Sequence, residues 1–207
     1  IEDPIEYKIS GIEQTQVNPS VDYTFAKGLR AIVRQDPDVI LVGEIRDLET
    51  AEIAMQAALT GHVVFSTLHT NDAVGAVPRL FDLGVKPAII GPALSLVIAQ
   101  RLVRKLCEKC KKAAPVSTSD LTKYKKFLSR IAPRVDRRTF DSSGGFKIYK
   151  SVGCDVCHGF GYRGRIGVFE FLEAGPEFES VILKEISEVA LKKVAAEQRM
   201  VTIQEDG

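Results

Sequence analysis

No apolar run in this 207-residue chain approaches the roughly 20 residues that a membrane-crossing helix needs. No basic-then-apolar leader occurs in it, so the stretch is expected to be soluble and not itself an export signal. Neither sign of charge dominates. With 28 Lys and Arg against 27 Asp and Glu, the formal charge is +1, which points to no class of partner. Internal repeats and low-complexity tracts are also lacking. What remains is an ordinary globular composition, 45% hydrophobic and 27% charged. The length allows one sizeable core and a small satellite.

Cysteine is scarce, with four in all, but its placement is informative. Cys107-Glu-Lys-Cys110 and Cys154-Asp-Val-Cys157 are two C-x-x-C pairs, the arrangement that brings four thiolates to one tetrahedral zinc. Four thiolates close the coordination sphere, so the expected role is structural. The 43 residues between the pairs exceed the roughly 15–20 of a common ribbon, so the knuckles are expected to pinch off a protruding loop. A redox pair would need only one C-x-x-C and a different neighbourhood, and disulfides would require an oxidising compartment. Between the knuckles, Lys111, Lys112, Lys123, Lys125, Lys126, Arg130, Arg134, Arg137 and Arg138 form a basic run with Asp120 and Asp136 among them. A solvated loop explains such a run. Contact with anionic lipid headgroups or an acidic partner is the sharper alternative.

Upstream, the pattern alternates strand and helix. Thr24 is placed to cap a helix from Phe25 to about Arg34, with Phe25, Leu29, Ile32 and Val33 on one face. Val39-Ile-Leu-Val42 suits a strand covered on both faces. A helix is expected over Leu48 to Leu59, stopped by Gly61, and a strand over His62 to Thr67. Asp72 is expected to cap a helix to Leu83, and Pro87 to Leu102 is expected to be mostly helical. Beyond the cysteines come a strand near Val168 to Leu172 and helices over Glu177 to Glu185 and Glu188 to Arg199. This rhythm predicts an α/β fold with a parallel sheet, an inserted four-cysteine module and C-terminal helices. The division expected is 1–105, 106–160 and 161–207.

In open α/β sheets, ligands bind at the C-terminal strand edge. Gly43-Glu44 ends the first strand with a carboxylate there. Glu2-Asp3-Pro4-Ile5-Glu6 ends another candidate strand with three more, and Ser66-Thr-Leu-His69 ends a third with an imidazole. A strand-end Glu can orient water against a phosphate or hold magnesium through water, or it can simply be solvated. His62, at the opposite edge, reads as structural. Arg30 and Arg34 share a helix face and Arg46 follows Glu44. Guanidinium groups there could stabilise phosphoryl charge or form surface ion pairs with Asp36 or Asp47. The phosphate loop G-x-x-x-x-G-K-[ST] is absent, as is any Gly-Lys dipeptide. Ile1-Glu-Asp-Pro-Ile-Glu-Tyr7 looks like the tail of a buried strand, so the expectation is a piece of a longer protein whose phosphate loop precedes Ile1.

Three segments carry a resemblance: Glu2 to Tyr7, Val39 to Asp47, and Thr60-Gly-His-Val-Val-Phe-Ser-Thr-Leu-His-Thr-Asn-Asp72. They resemble the aspartate box, Walker B box and histidine box of secretion-superfamily ATPases. With the cysteine pairs, the chain resembles the type II secretion ATPases (the general secretory pathway protein E family), with type IV pilus extension ATPases as second choice. The resemblance implies a RecA-like core, ATP and magnesium as ligands, and structural zinc on Cys107, Cys110, Cys154 and Cys157. It implies Glu44 as catalytic glutamate, Glu6 as the acid that helps place water and magnesium, and His69 at the phosphates. It implies nucleotide or intersubunit roles for Arg30, Arg34, Arg46 and Arg165. The family forms hexamers on the cytoplasmic face of the bacterial inner membrane, working with membrane platform proteins. Without a phosphate loop, the chain by itself is expected to be inactive. A zinc-ribbon module binding nucleic acid through the basic stretch is the rival reading; it leaves the acidic strand and His69 unexplained.

Overall fold

A computed structural model describes residues 1–129 and 148–207. Arg130, Arg134, Asp136, Arg137 and Arg138 of the basic stretch lie outside the described residues. The chain forms two compact units: residues 1–97 with 172–196, and residues 98–171 with 197–207.

In the first unit Thr24 caps α1 (Phe25–Val33), its hydroxyl accepting from the Lys27 N–H. The apolar stripe buries Phe25, Ala26 and Leu29. Gly28 lies on the same face because a Cβ there would stand 2.3 Å from Cδ1 of Ile1. β1 (Val39–Val42), α2 (Leu48–Leu59) and β2 (Val63–Ser66) form a β-α-β unit with parallel strands, Val39 opposite Val63 and Val42 opposite Ser66. α1 packs on β1, α2 on β2, and the two helices on each other. Ile1 extends the pairing. Its amino group donates to Leu41 O and its carbonyl accepts from the Gly43 N–H, both at 2.8 Å.

Two expectations fail here. β1 is buried on one face only: Ile40 and Val42 are enclosed, whereas Val39 and Leu41 are exposed, as are Val63 and Phe65 opposite them. Among the described residues the helices cover a single side of this pair. The helix expected from Asp72 begins later, as α3 (Ala76–Asp82). The Asp72 carboxylate is spent closing the preceding turn, accepting from the Gly75 N–H at 2.8 Å.

α4 (Pro87–Ala93) ends just after Pro92, and β3 (Leu96–Leu106) replaces the helix expected to Leu102. β3 is fixed by pairing with β6 (Tyr162–Glu173), a partner far along the chain. The first unit closes with α6 (Pro176–Lys184) and α7 (Glu188–Glu197). α6 packs on α4 across Gly91, where a Cβ would meet Cγ of Glu179 at 2.7 Å. Leu29, Val42, Leu80, Ile90, Phe178 and Leu191 are fully buried.

The second unit holds the β3–β6 pair and the short antiparallel pair of β4 (Lys112–Ala114) and β5 (Ile148–Lys150). It also holds α5 (Thr118–Leu128), capped by Ser117. α8 (Ile203–Asp206) is tied to β6 by two carboxylates. Glu170, 4% exposed, accepts from the Ile203 N–H, and Asp206 accepts from the Phe169 N–H.

Asp47 is the N-cap of α2. Its carboxylate accepts from the Thr50 N–H at 2.8 Å and the Thr50 hydroxyl at 3.0 Å, and Thr50 is fully buried. Asp47→Ala removes a cap and strands a buried hydroxyl, so it should lower stability by about 1–3 kcal/mol in urea denaturation. An unshifted midpoint would show that the cap carries no weight.

Candidate functional site

Backbone pairing continues past the ends of β1 and β2. The Ile45 N–H donates to Thr67 O at 3.0 Å, and the Thr67 hydroxyl donates to Gly43 O at 2.7 Å. This lacing holds the two strand exits together and sets Glu44 beside His69. His69 Nε2 lies 3.0 Å from Glu44 Oε2, and the Arg46 guanidinium is paired with the other carboxylate oxygen. Glu44 is the enclosed member, its side chain 13% exposed, whereas Arg46 and His69 reach into solvent. The Arg46 hydrogen bond holds the Glu44 carboxyl below its usual range; partial burial opposes this and His69 reinforces it. Glu44 in turn raises the Arg46 value, and the charge of Asp3 adds to the effect.

The remaining candidates divide. Glu6 is exposed and makes no side-chain hydrogen bond or ion pair among the described residues. Of the N-terminal carboxylates, Asp3 is the one whose field Arg46 feels, and Glu2 accepts from Gln14 Nε2. Arg30 pairs with Glu49 of α2 at 2.7 Å, a surface ion pair with a partner other than the Asp36 or Asp47 considered from sequence. Arg34 is exposed at the end of α1, and Arg165 is exposed on β6 in the second unit. His62 Nδ1 sits 3.0 Å from Ala57 O at the end of α2, a structural position. Sequence reasoning missed Thr67 and Gly43. The signal for Gly43 is steric: a Cβ would come within 3.3 Å of Ile1 O, so the residue between β1 and Glu44 must be small.

The four cysteines converge in the second unit. Cys107 and Cys154 Sγ are 4.0 Å apart, Cys110 and Cys157 3.8 Å, Cys154 and Cys157 3.8 Å, and all four fall within 4.8 Å. Tetrahedral zinc with Zn–S of about 2.3 Å requires S···S of about 3.8 Å, so the donor set fits. The second knuckle turns through Gly153, Gly159 and Gly161, each at positive φ. A Cβ at Gly153 would stand 2.5 Å from Gly159 O. The turn aims the Cys154 and Gly161 N–H groups at Cys157 Sγ, both at 3.2 Å. Burial alone would push the Cys157 thiol up, but these N–H donors bring it down to about 7, whereas burial pushes Cys110 up to about 11. No helix among the described residues is long and apolar enough to cross a membrane.

Fold and sites together define an α/β protein with an acidic, imidazole-bearing strand edge and a four-cysteine cluster able to hold a metal ion. The model of the type II/IV secretion system protein family matches residues 1–207, and the chain belongs to that family. It is 52% identical over 195 residues to the type II secretion system ATPase E of Vibrio cholerae, covering 93% of this chain and 36% of that protein. It is 46% identical over 207 residues to the type IV pilus assembly ATPase PilB of Thermus thermophilus, covering 100% of this chain and 22% of that protein. Among solved structures it is similar to the pilus retraction motor PilT with bound ADP. There the TM-score is 0.62 at 28% identity, over 99% of this chain and 45% of that one. The chain thus spans about a third or less of the length of these curated relatives.

The purified chain should carry one equivalent of zinc by elemental analysis. Chelation or Cys→Ala at any of the four positions should release it and destabilise the second unit by several kcal/mol, since metal binding here is folding energy. Because thiols must lose protons to bind, affinity should fall on acidification. Identical melting of the zinc-free and zinc-loaded chain would contradict a structural site.

Proposed function

We propose that the chain is the Walker B-bearing part of a hexameric, ATP-hydrolysing motor of a type II secretion system. The reading places residues 1–105 in a RecA-like core, 106–160 in a structural zinc module and 161–207 in a C-terminal strand and helices. The observation that carries it is Glu44, an ionised, enclosed carboxylate held between His69 and Arg46 at the C-terminal edge of a parallel strand pair. The names of the similar ATPases support the same reading.

In this scheme Glu44 orients the attacking water, Glu6 helps place water and magnesium, and His69 contacts the phosphates. Glu44 and Glu6 are the residues that would hold magnesium, which when bound would supply neutralisation of phosphate charge. Arg30, Arg34, Arg46 and Arg165 are the guanidinium candidates for the nucleotide, within or across subunits. Arg30 and Arg46 already hold carboxylates, so each must exchange Glu49 or Glu44 for phosphate to serve there. The motor is placed at the cytoplasmic face of the inner membrane, acting with platform proteins. Type IV pilus assembly is the second reading, favoured by the match of all of this chain to part of PilB.

Glu44→Gln in the full-length protein should lower ATP turnover by about a hundredfold or more while leaving nucleotide affinity near wild type. The 207-residue chain alone, which contains no phosphate loop, should show no turnover above buffer. A fully active Glu44→Gln enzyme would remove Glu44 from the mechanism.

A further inference from the structure

The pairing of β1 with β2 falls out of step where it reaches Glu44. Val63 lies opposite Val39, and its N–H donates to Asp38 O. Continued in that register, Gly43 would stand opposite Thr67, and Thr67 O would accept from the Glu44 N–H. The donor is instead the Ile45 N–H, at 3.0 Å, so the exit of β1 carries an extra residue. Burial records the same slip. Ile40 and Val42 are enclosed while Val39 and Leu41 are exposed, so strict alternation would turn Ile45 outward; it is 5% exposed. An extra residue of this kind bends the strand and re-aims a side chain, and such bulges recur beside active sites.

Thr67 spans the bulge. Its hydroxyl donates to Gly43 O at 2.7 Å and its carbonyl takes the Ile45 N–H, so a single residue of β2 grips the backbone on both sides of Glu44. The hydroxyl bond is exposed to solvent and adds little to folding. Its consequence lies in where it holds Glu44. The ionised carboxylate has only lone pairs to offer, so His69 Nε2 carries the proton between them across 3.0 Å. That bond is directional, and a return of Glu44 to the regular register would carry the carboxylate off it. The imidazole is fixed from its own side as well, the Thr70 N–H donating to Leu68 O at 3.1 Å to close a tight turn around His69.

We propose that Thr67 is a positioning residue for ATP hydrolysis, its hydroxyl pinning the bulge that aims Glu44 at His69. The role rests on the motor reading given above. Valine keeps the branched shape of threonine without the hydroxyl, and serine keeps the hydroxyl without the methyl group, so the two substitutions separate the hydrogen bond from packing.

In the full-length protein, Thr67→Val should lower kcat for ATP about tenfold or more with KM within about twofold of wild type, because the loss is one of alignment and not of nucleotide contacts. Thr67→Ser should restore most of that loss. In the 207-residue chain, which has three histidines, nitrogen NMR of the His69 ring at a pH where it is neutral should place the proton on Nε2 in wild type and Thr67→Ser. Thr67→Val should lose that fixed tautomer while its urea midpoint stays near wild type. A Thr67→Val protein with wild-type kcat, or one that keeps the Nε2–H signal of His69, would overturn the proposal. Absence of ATP turnover by the wild-type full-length protein would defeat the motor reading and this role with it, and is told apart because the ring signals do not depend on turnover.

Discussion

Val42 pairs with Ser66 in a parallel register, and that alignment decides what stands beyond the strands. Two residues past Val42 comes Glu44; three past Ser66 comes His69. A slip of one residue would turn every side chain of β2 to the opposite face. The register is secured from both sides. α1 and α2 pack on one face of the pair, and the Ile45–Thr67 and Thr67–Gly43 hydrogen bonds extend the pairing past the last strand residues. The imidazole therefore meets the carboxylate at 3.0 Å through backbone geometry, and its contact with Glu44 needs no long side-chain reach.

Charge then governs what this edge can do. A lone enclosed carboxylate would tend to take up a proton. Arg46 prevents that, and in doing so commits its own guanidinium. The same group cannot hold Glu44 and a second anion with equal strength. At the cysteine centre the logic is different: sulfurs from residues 47 apart in sequence come within 4.8 Å of one another, and glycine turns aim two N–H donors at Cys157 Sγ.

Much of this was legible in the residues. The apolar run Val39–Val42, the Thr24 cap and the Ala-rich α2 are local signals, and each produced its element. The C-x-x-C spacing announced the thiolate cluster. What was hidden depends on partners distant in sequence. β3 carries helix-compatible residues and becomes a strand because β6 pairs with it. For Arg30 the sequence offered a phosphate or an ion pair with Asp36 or Asp47, and its actual partner, Glu49, lies on α2, where α1 alone could not show it. Glu170 and Asp206 owe their roles to one docking event between β6 and α8.

The central claim is that Glu44 is clamped as an anion between Arg46 and His69. A pH titration of the Glu44 side-chain carboxyl by carbon-detected NMR tests it most directly. The account predicts a value below that of ordinary glutamates, moving up toward the ordinary value in Arg46→Ala. With the folded value depressed, the contact stabilises the fold above the unfolded-state value, and that stabilisation is lost as pH falls through the folded one. A Glu44 carboxyl that titrates like a solvated glutamate, unmoved by Arg46→Ala, would contradict the account.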